Sequence, residues 1–90
     1  MYVTQEGIKK FLYPNRPFVI TRSCYAGAQR YSSVWTGDNI TTWEHLWIAN
    51  MQIQRLAMWG ISFAGSDVGG FIGNPDGELY VRWLQMAVFH

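Results

Sequence analysis

Apolar positions along this chain of 90 residues switch between a helical spacing and short unbroken runs. Ile8, Phe11 and Leu12 share one side of residues 4–12, with Lys9 and Lys10 on the other, which predicts a short amphipathic helix. Gly7 weakens it, and Tyr13-Pro14-Asn15-Arg16-Pro17 breaks it. Phe18-Val19-Ile20-Thr21 follows as an apolar, β-branched run without alternation, the pattern of a strand covered on both faces in a parallel sheet. Small and polar residues at 23–32 form a loop, and Ser33-Val34-Trp35-Thr36 predicts a second strand, stopped by Gly37-Asp38-Asn39. The clearest helix comes next. Thr41 and Glu44 have the spacing of a capping box, and Leu46, Trp47, Asn50, Met51, Ile53, Leu56 and Ala57 recur near helical period up to Gly60. Ile61-Ser62-Phe63-Ala64 predicts a third strand, ended by Gly65-Ser66-Asp67. Asn74-Pro75, as cap and first-turn proline, opens a last helix through Leu79, Val81, Trp83, Leu84 and Val88.

Buried strands joined by crossovers, in the order helix, strand, strand, helix, strand, helix, imply an α/β architecture with a parallel sheet. The first helix starts abruptly and Phe89-His90 carries no helix stop, so residues 1–90 are expected to be an internal slice of a domain, with both ends truncated. Composition agrees: 49% of residues are hydrophobic and 17% aromatic, while 14% are charged, against about 25% charged in ordinary domains. A chain so apolar and so weakly charged is not intrinsically disordered. Seven Lys and Arg against six Asp and Glu leave a net charge of +1, which gives no electrostatic basis for binding nucleic acid. No apolar run approaches the roughly 18 residues of a membrane span. The single Cys24 cannot form an internal disulfide or a metal site alone, and reads as a small buried filler.

Polar groups follow each strand candidate at once: Arg22 after the first, Asp38 after the second, Asp67 after the third. In parallel α/β sheets and barrels, ligands bind at the carboxyl ends of strands, so the three charges are expected at one mouth. Two carboxylates and a guanidinium there suit acid/base work on a polar, uncharged substrate; the same set also fits a structural bridge at the rim. Gly37, Gly65, Gly69 and Gly70 permit sharp turns beside them. Gly65-Ser66-Asp67-Val68-Gly69-Gly70 is not a dinucleotide fingerprint, because it lacks the G-x-G-x-x-G spacing and Asp67 would repel a pyrophosphate. Tyr25, Trp35 and Phe71 sit near the charges and could stack on the C–H face of a sugar, or simply pack. His45 falls on the long helix, away from the strand ends, and reads as a surface or helix-packing residue. Asn39-Ile40-Thr41 matches a glycosylation sequon, but one set against the candidate site, where modification is not expected.

Taken together, Arg16-Pro-Phe-Val-Ile-Thr-Arg22-Ser, Gly27-Ala-Gln-Arg30-Tyr, Trp35-Thr-Gly-Asp38-Asn39, Thr42-Trp43, Gly65-Ser-Asp67-Val-Gly-Gly-Phe71 and Val81-Arg82-Trp83-Leu-Gln85 resemble glycoside hydrolase family 31, the α-glucosidase and α-xylosidase family, over about residues 6–89. The resemblance implies a portion of a (β/α)8 TIM barrel, about strands five to seven with their helices, completed by the remainder of the catalytic barrel. It implies that Asp38 is the general acid/base, that Arg22 and Trp35 surround the sugar at subsite −1, and that Asp67 and Phe71 stand near the same pocket. It calls for no cofactor and no metal. The family's nucleophile lies in an upstream Trp-x-Asp-Met-Asn-Glu block that this chain does not contain, and so does not lie in this sequence. The later Arg-x-His block is likewise absent, and His90 does not stand in for its histidine.

The implied function is a fragment of a retaining α-glycosidase acting on an α-linked oligosaccharide or glucoside, most directly an α-glucosidase, with the isolated chain inactive for lack of the nucleophile. A carboxyl that gives up a proton near neutral pH needs apolar neighbours and a facing charge to raise its titration, and Trp35 is a candidate apolar neighbour. The same family also contains α-xylosidases, transglycosylases and lyases, and the motif would serve a carbohydrate-binding relative without turnover.

Overall fold

The computed structural model describes residues 1–12 and 16–90. Tyr13, Pro14 and Asn15 of the expected breaker lie outside them. Helix α1 runs Tyr2–Phe11, strand β1 Ile20–Thr21, a 3₁₀ turn Ala28–Arg30, strand β2 Ser33–Trp35, helix α2 Trp43–Met58, strand β3 Ala64–Gly65 and helix α3 Gly77–Ala87. The strands form one parallel sheet in the order β1-β2-β3, with Ile20 beside Ser33, Val34 beside Ala64 and Trp35 beside Gly65. The order expected from the hydrophobic pattern holds, and β2-α2-β3 is the crossover unit that parallel pairing requires. Between β1 and β2 the crossover has no α-helix; the 3₁₀ turn takes its place.

Because side chains alternate across a strand, the two faces of the sheet have different fates. Val34, Ile61 and Ala64 form one buried cluster, against which Ile53 and Leu56 of α2 and the half-buried Cys24 pack. On the opposite face Phe18, Ile20 and Phe63 stay 69%, 51% and 68% exposed, with Phe18 and Phe63 edge to face, ring centroids 6.1 Å apart. The expected burial on both faces therefore holds for one face only within this chain. The second cluster is Ala49, Leu79 and Trp83, flanked by Leu46 and Met86, and it locks α3 onto α2. No residue of α1 is buried.

Both expected helix caps move by a residue or two. The cap of α2 is Thr42, whose hydroxyl accepts from the His45 N–H at 3.2 Å; Thr41 instead donates its hydroxyl to the Gly69 carbonyl at 3.0 Å. The carboxyl of Glu44 sits below its ordinary pKa because its own backbone N–H, and then the Thr42 hydroxyl, hydrogen-bond the charged form. The cap of α3 is Asp76, which accepts from the Leu79 N–H at 2.8 Å, and the helix closes at Ala87 with Val88 as its C-cap. Asn74 and Pro75 precede the helix rather than opening it. An aspartate at the N-cap both caps and complements the helix dipole, which is why Asp76 prevails over Asn74. Among the described residues no helix is long and apolar enough to cross a membrane.

Candidate active site

Each strand ends by delivering a polar segment to the same edge of the sheet. Arg22 directly follows β1, Asp38 lies three residues past β2, and Asp67 two past β3. The Arg22 Nη1 stands 3.5 Å from Asp38 Oδ1. Both side chains are largely exposed, so the pair contributes little to stability, under about 1 kcal/mol for exposed ion pairs. Gly37 makes the approach possible. Its backbone is left-handed, at φ +81°, and a Cβ there would lie 2.5 Å from Arg22 Nε.

Trp35, Asp38, Asp67 and Phe71 all line one open cavity of about 550 Å³, together with Phe18 and Phe63 of the uncovered sheet face. Arg22 lines a different cleft of about 250 Å³, beside Cys24, Trp35 and Arg55, and meets the larger cavity through its pair with Asp38. Tyr25 lines neither. The cavity wall is aromatic and aliphatic with a few acidic groups, a surface that can stack on an apolar ring face while carboxylates take its hydroxyls. His90 lines it too, and partial burial holds its imidazole below the ordinary range. Among the described residues no group of three or more His, Cys, Asp or Glu side chains could hold a metal ion.

Asp67 titrates above its ordinary value of 3.8: partial burial raises it first, the Asp38 charge raises it further, and Arg22 opposes both. A carboxyl whose folded pKa lies above its unfolded one stabilises the fold below the unfolded value, and loses that contribution as pH rises through the folded one. Replacing Asp67 by Asn is therefore expected to make the chain more stable at neutral pH, with the gain vanishing below about pH 3.8. Denaturant melts of both proteins across pH check this; a variant less stable at pH 7 would contradict it.

The hydrogen bonds that hold this edge together run through residues that sequence reasoning did not select. Asn39, 7% exposed, donates its amide Nδ2 to the Asp67 carbonyl at 3.0 Å and accepts at Oδ1 from the Phe71 N–H at 2.9 Å. Its backbone carbonyl accepts from Phe71 and Ile72. With its amide nitrogen buried and engaged, the sequon asparagine is closed to modification in the folded chain. His45 reaches back from α2 to accept the Ile40 N–H at Nδ1, 3.2 Å away, so it fixes the segment after β2 rather than only a helix surface. Ser66 also lines the cavity, and its hydroxyl has no hydrogen-bond partner among the described residues.

The model of the glycosyl hydrolases family 31 TIM-barrel domain matches residues 1–90. The chain belongs to glycoside hydrolase family 31. It is 48% identical over 86 residues to alpha-glucosidase 2 of Bacillus thermoamyloliquefaciens, covering 96% of this chain and 11% of that protein. It is 52% identical over 87 residues to neutral alpha-glucosidase C of Homo sapiens, covering 96% of this chain and 10% of that one. The chain thus spans about a tenth of the length of these curated relatives. Among solved structures, the glucosidase II alpha subunit with alpha3-Glc2 bound superposes with a TM-score of 0.80 at 47% identity, over 82% of this chain and 8% of that one. The same subunit has also been solved with Glc1Man2 bound. The parallel sheet and its flanking helices are those of a family 31 barrel domain.

Proposed function

We propose that this chain is a segment of the catalytic barrel of a retaining α-glucosidase, spanning about strands five to seven of the eight and carrying the general acid/base but not the nucleophile. The observation that carries the reading is the shared cavity: Asp38 and Asp67 open onto it with Trp35 and Phe71, at the carboxyl edge of a parallel sheet, with Arg22 paired to Asp38. That edge is where barrel enzymes hold their substrates. Relatives named as alpha-glucosidases support glucose as the sugar, and the bound alpha3-Glc2 and Glc1Man2 of the glucosidase II structures support an α-linked oligosaccharide as the substrate class.

In the proposed reaction a carboxylate supplied by the rest of the barrel attacks the anomeric carbon. The glycosidic C–O bond breaks, and the proton of the Asp38 carboxyl passes to the departing oxygen. Asp38, now a carboxylate, takes a proton from water as the water oxygen displaces the enzyme carboxylate from the anomeric carbon. The carboxyls of such a pair stand about 5–5.5 Å apart, close enough for direct attack on the sugar. Trp35 and Phe71 supply apolar surface to the sugar ring, while Arg22 and Asp67 bind hydroxyls and fix its orientation. The 90-residue chain by itself has half of the pair and does not turn over substrate.

Two displacements at one carbon restore its configuration. The full-length protein, given an aryl or methyl α-glucoside so that the only free sugar comes from the cleaved bond, and followed by proton NMR from the first minutes, is expected to release the α anomer before mutarotation. Initial release of the β anomer would mean a single displacement by water and would overturn the retaining reading.

A further inference from the structure

We infer that Asn39 is a positioning residue that ties the acid/base segment to the sugar-binding segment, so that Asp38 and the Asp67–Phe71 loop act as one unit. The inference rests on the function proposed above. Asn39 follows Asp38 directly in the chain, and its side chain uses both ends of one amide on the neighbouring loop: Nδ2 to the Asp67 carbonyl at 3.0 Å and Oδ1 from the Phe71 N–H at 2.9 Å. The two bonds fall on the two residues of that loop that share the cavity with Asp38. Its nearest relatives in shape do not fit. Aspartate lacks the donor, leucine lacks both polar ends, and glutamine carries an extra methylene into a site that is 93% buried, Asn39 being only 7% exposed. Burial also makes the bonds obligatory, because an amide removed from water must be paired.

Other bonds hold the far end of the loop: the Asn39 carbonyl accepts from the Phe71 and Ile72 N–H groups, and the Thr41 hydroxyl donates to the Gly69 carbonyl. What the side chain adds is a fixed distance between the Asp38 backbone and the Asp67 carbonyl. Without it the Asp67 end of the loop is free to shift, and a displacement of about 1 Å at a reacting geometry can cost on the order of 10²-fold in rate.

The test is a double-mutant cycle in the full-length protein. Asn39→Ala is expected to lower kcat/KM for an α-glucoside by about 10- to 100-fold, and Asp67→Ala to lower it as well. In the Asp67→Ala background Asn39→Ala is expected to cost less than in the wild type, because part of its effect passes through the position of the Asp67 carboxylate and the rest through Phe71. Multiplying losses, with Asn39→Ala costing as much in the Asp67→Ala background as in the wild type, would overturn the inference while leaving the proposed function intact. An Asp67→Ala protein with unchanged kcat/KM would remove Asp67 from the site, and with it both the inference and that part of the functional reading. If Asn39→Ala does not accumulate in folded form, Asn39→Ser carries the cycle, since its hydroxyl keeps the buried position polar but cannot reach both partners. Failure of both to fold would make Asn39 a structural residue and end the proposal.

Discussion

Asp38→Ala in the full-length protein is expected to separate substrates by leaving group. A natural disaccharide departs as an alkoxide of high pKa and needs a proton while the bond breaks. Losing that proton costs about 10²–10⁴-fold, equivalent to roughly 3–5 kcal/mol of barrier. An aryl glycoside with a strongly acidic phenol, or a glycosyl fluoride, leaves as a stable anion and loses far less in the first step. The second step still needs a base for water, so the covalent intermediate accumulates, and the reaction shows a burst followed by slow turnover. Azide attacks without base assistance and is expected to speed that slow phase, yielding a glycosyl azide. If Asp38 only shaped the cavity or held Arg22, all leaving groups would slow by one factor and azide would change nothing. That outcome would reduce the Arg22–Asp38 pair, 3.5 Å apart at the cavity edge, to the structural bridge that the sequence alone left open.

Strong apolar periodicity made the order of elements legible. Val34, Ile61 and Ala64 are buried where the strand runs predicted a core, and Leu46, Leu79 and Trp83 meet where the helical stripes predicted one. The hidden half was the other face of the sheet. Unbroken runs such as Phe18–Thr21 signal cover on both sides, and Phe18, Ile20 and Phe63 are nonetheless exposed here; a sequence pattern records what a strand is fitted to, not which chain provides the cover. Caps slipped for a different reason. Thr41 and Thr42 are neighbours of one chemical type, and the choice between them is made by a carbonyl on another loop, that of Gly69, which takes the Thr41 hydroxyl. The gathering of Arg22, Asp38 and Asp67 at one edge of the sheet was legible because each lies within three residues of a strand's end. Asn39 was not, since beside a charged residue it reads as turn chemistry or a sequon. Only the 32-residue reach to Phe71 gives it a function.

Gly70→Ala is expected to destabilise the chain by about 2–5 kcal/mol, the sum of two penalties. The first is conformational: Gly70 has φ +97°, and a side chain in left-handed backbone costs roughly 1–2 kcal/mol. The second is steric. A Cβ at Gly70 would press on the Thr41 hydroxyl and lie 2.7 Å from the Thr41 nitrogen and 2.8 Å from its Cα. Most overpacked sites relax by turning a side chain, at about 1–3 kcal/mol, but here the obstacle is backbone, and that backbone is held on both sides. The Thr41 N–H donates to the Ile72 carbonyl at 2.9 Å, Ile40 bridges to Ile72 in parallel, and Thr42 caps α2. Retreat of Thr41 would therefore break the junction of the two loops and disturb the helix start together. Gly77→Ala is the control. Gly77 sits in the first turn of α3 with nothing within 4 Å of the added carbon, so the same change there is expected to be neutral or stabilising, by up to about 1 kcal/mol. Urea melts with unchanged slope read both effects. The Asp67–Phe71 loop starts beside Asp38 and ends against Thr41, so in the full-length protein Gly70→Ala should also lower kcat/KM below what its loss of folded protein explains. Equal stability of the two alanine variants would mean that the loops part without cost, and that the contact between Gly70 and Thr41 does not hold the cavity in shape.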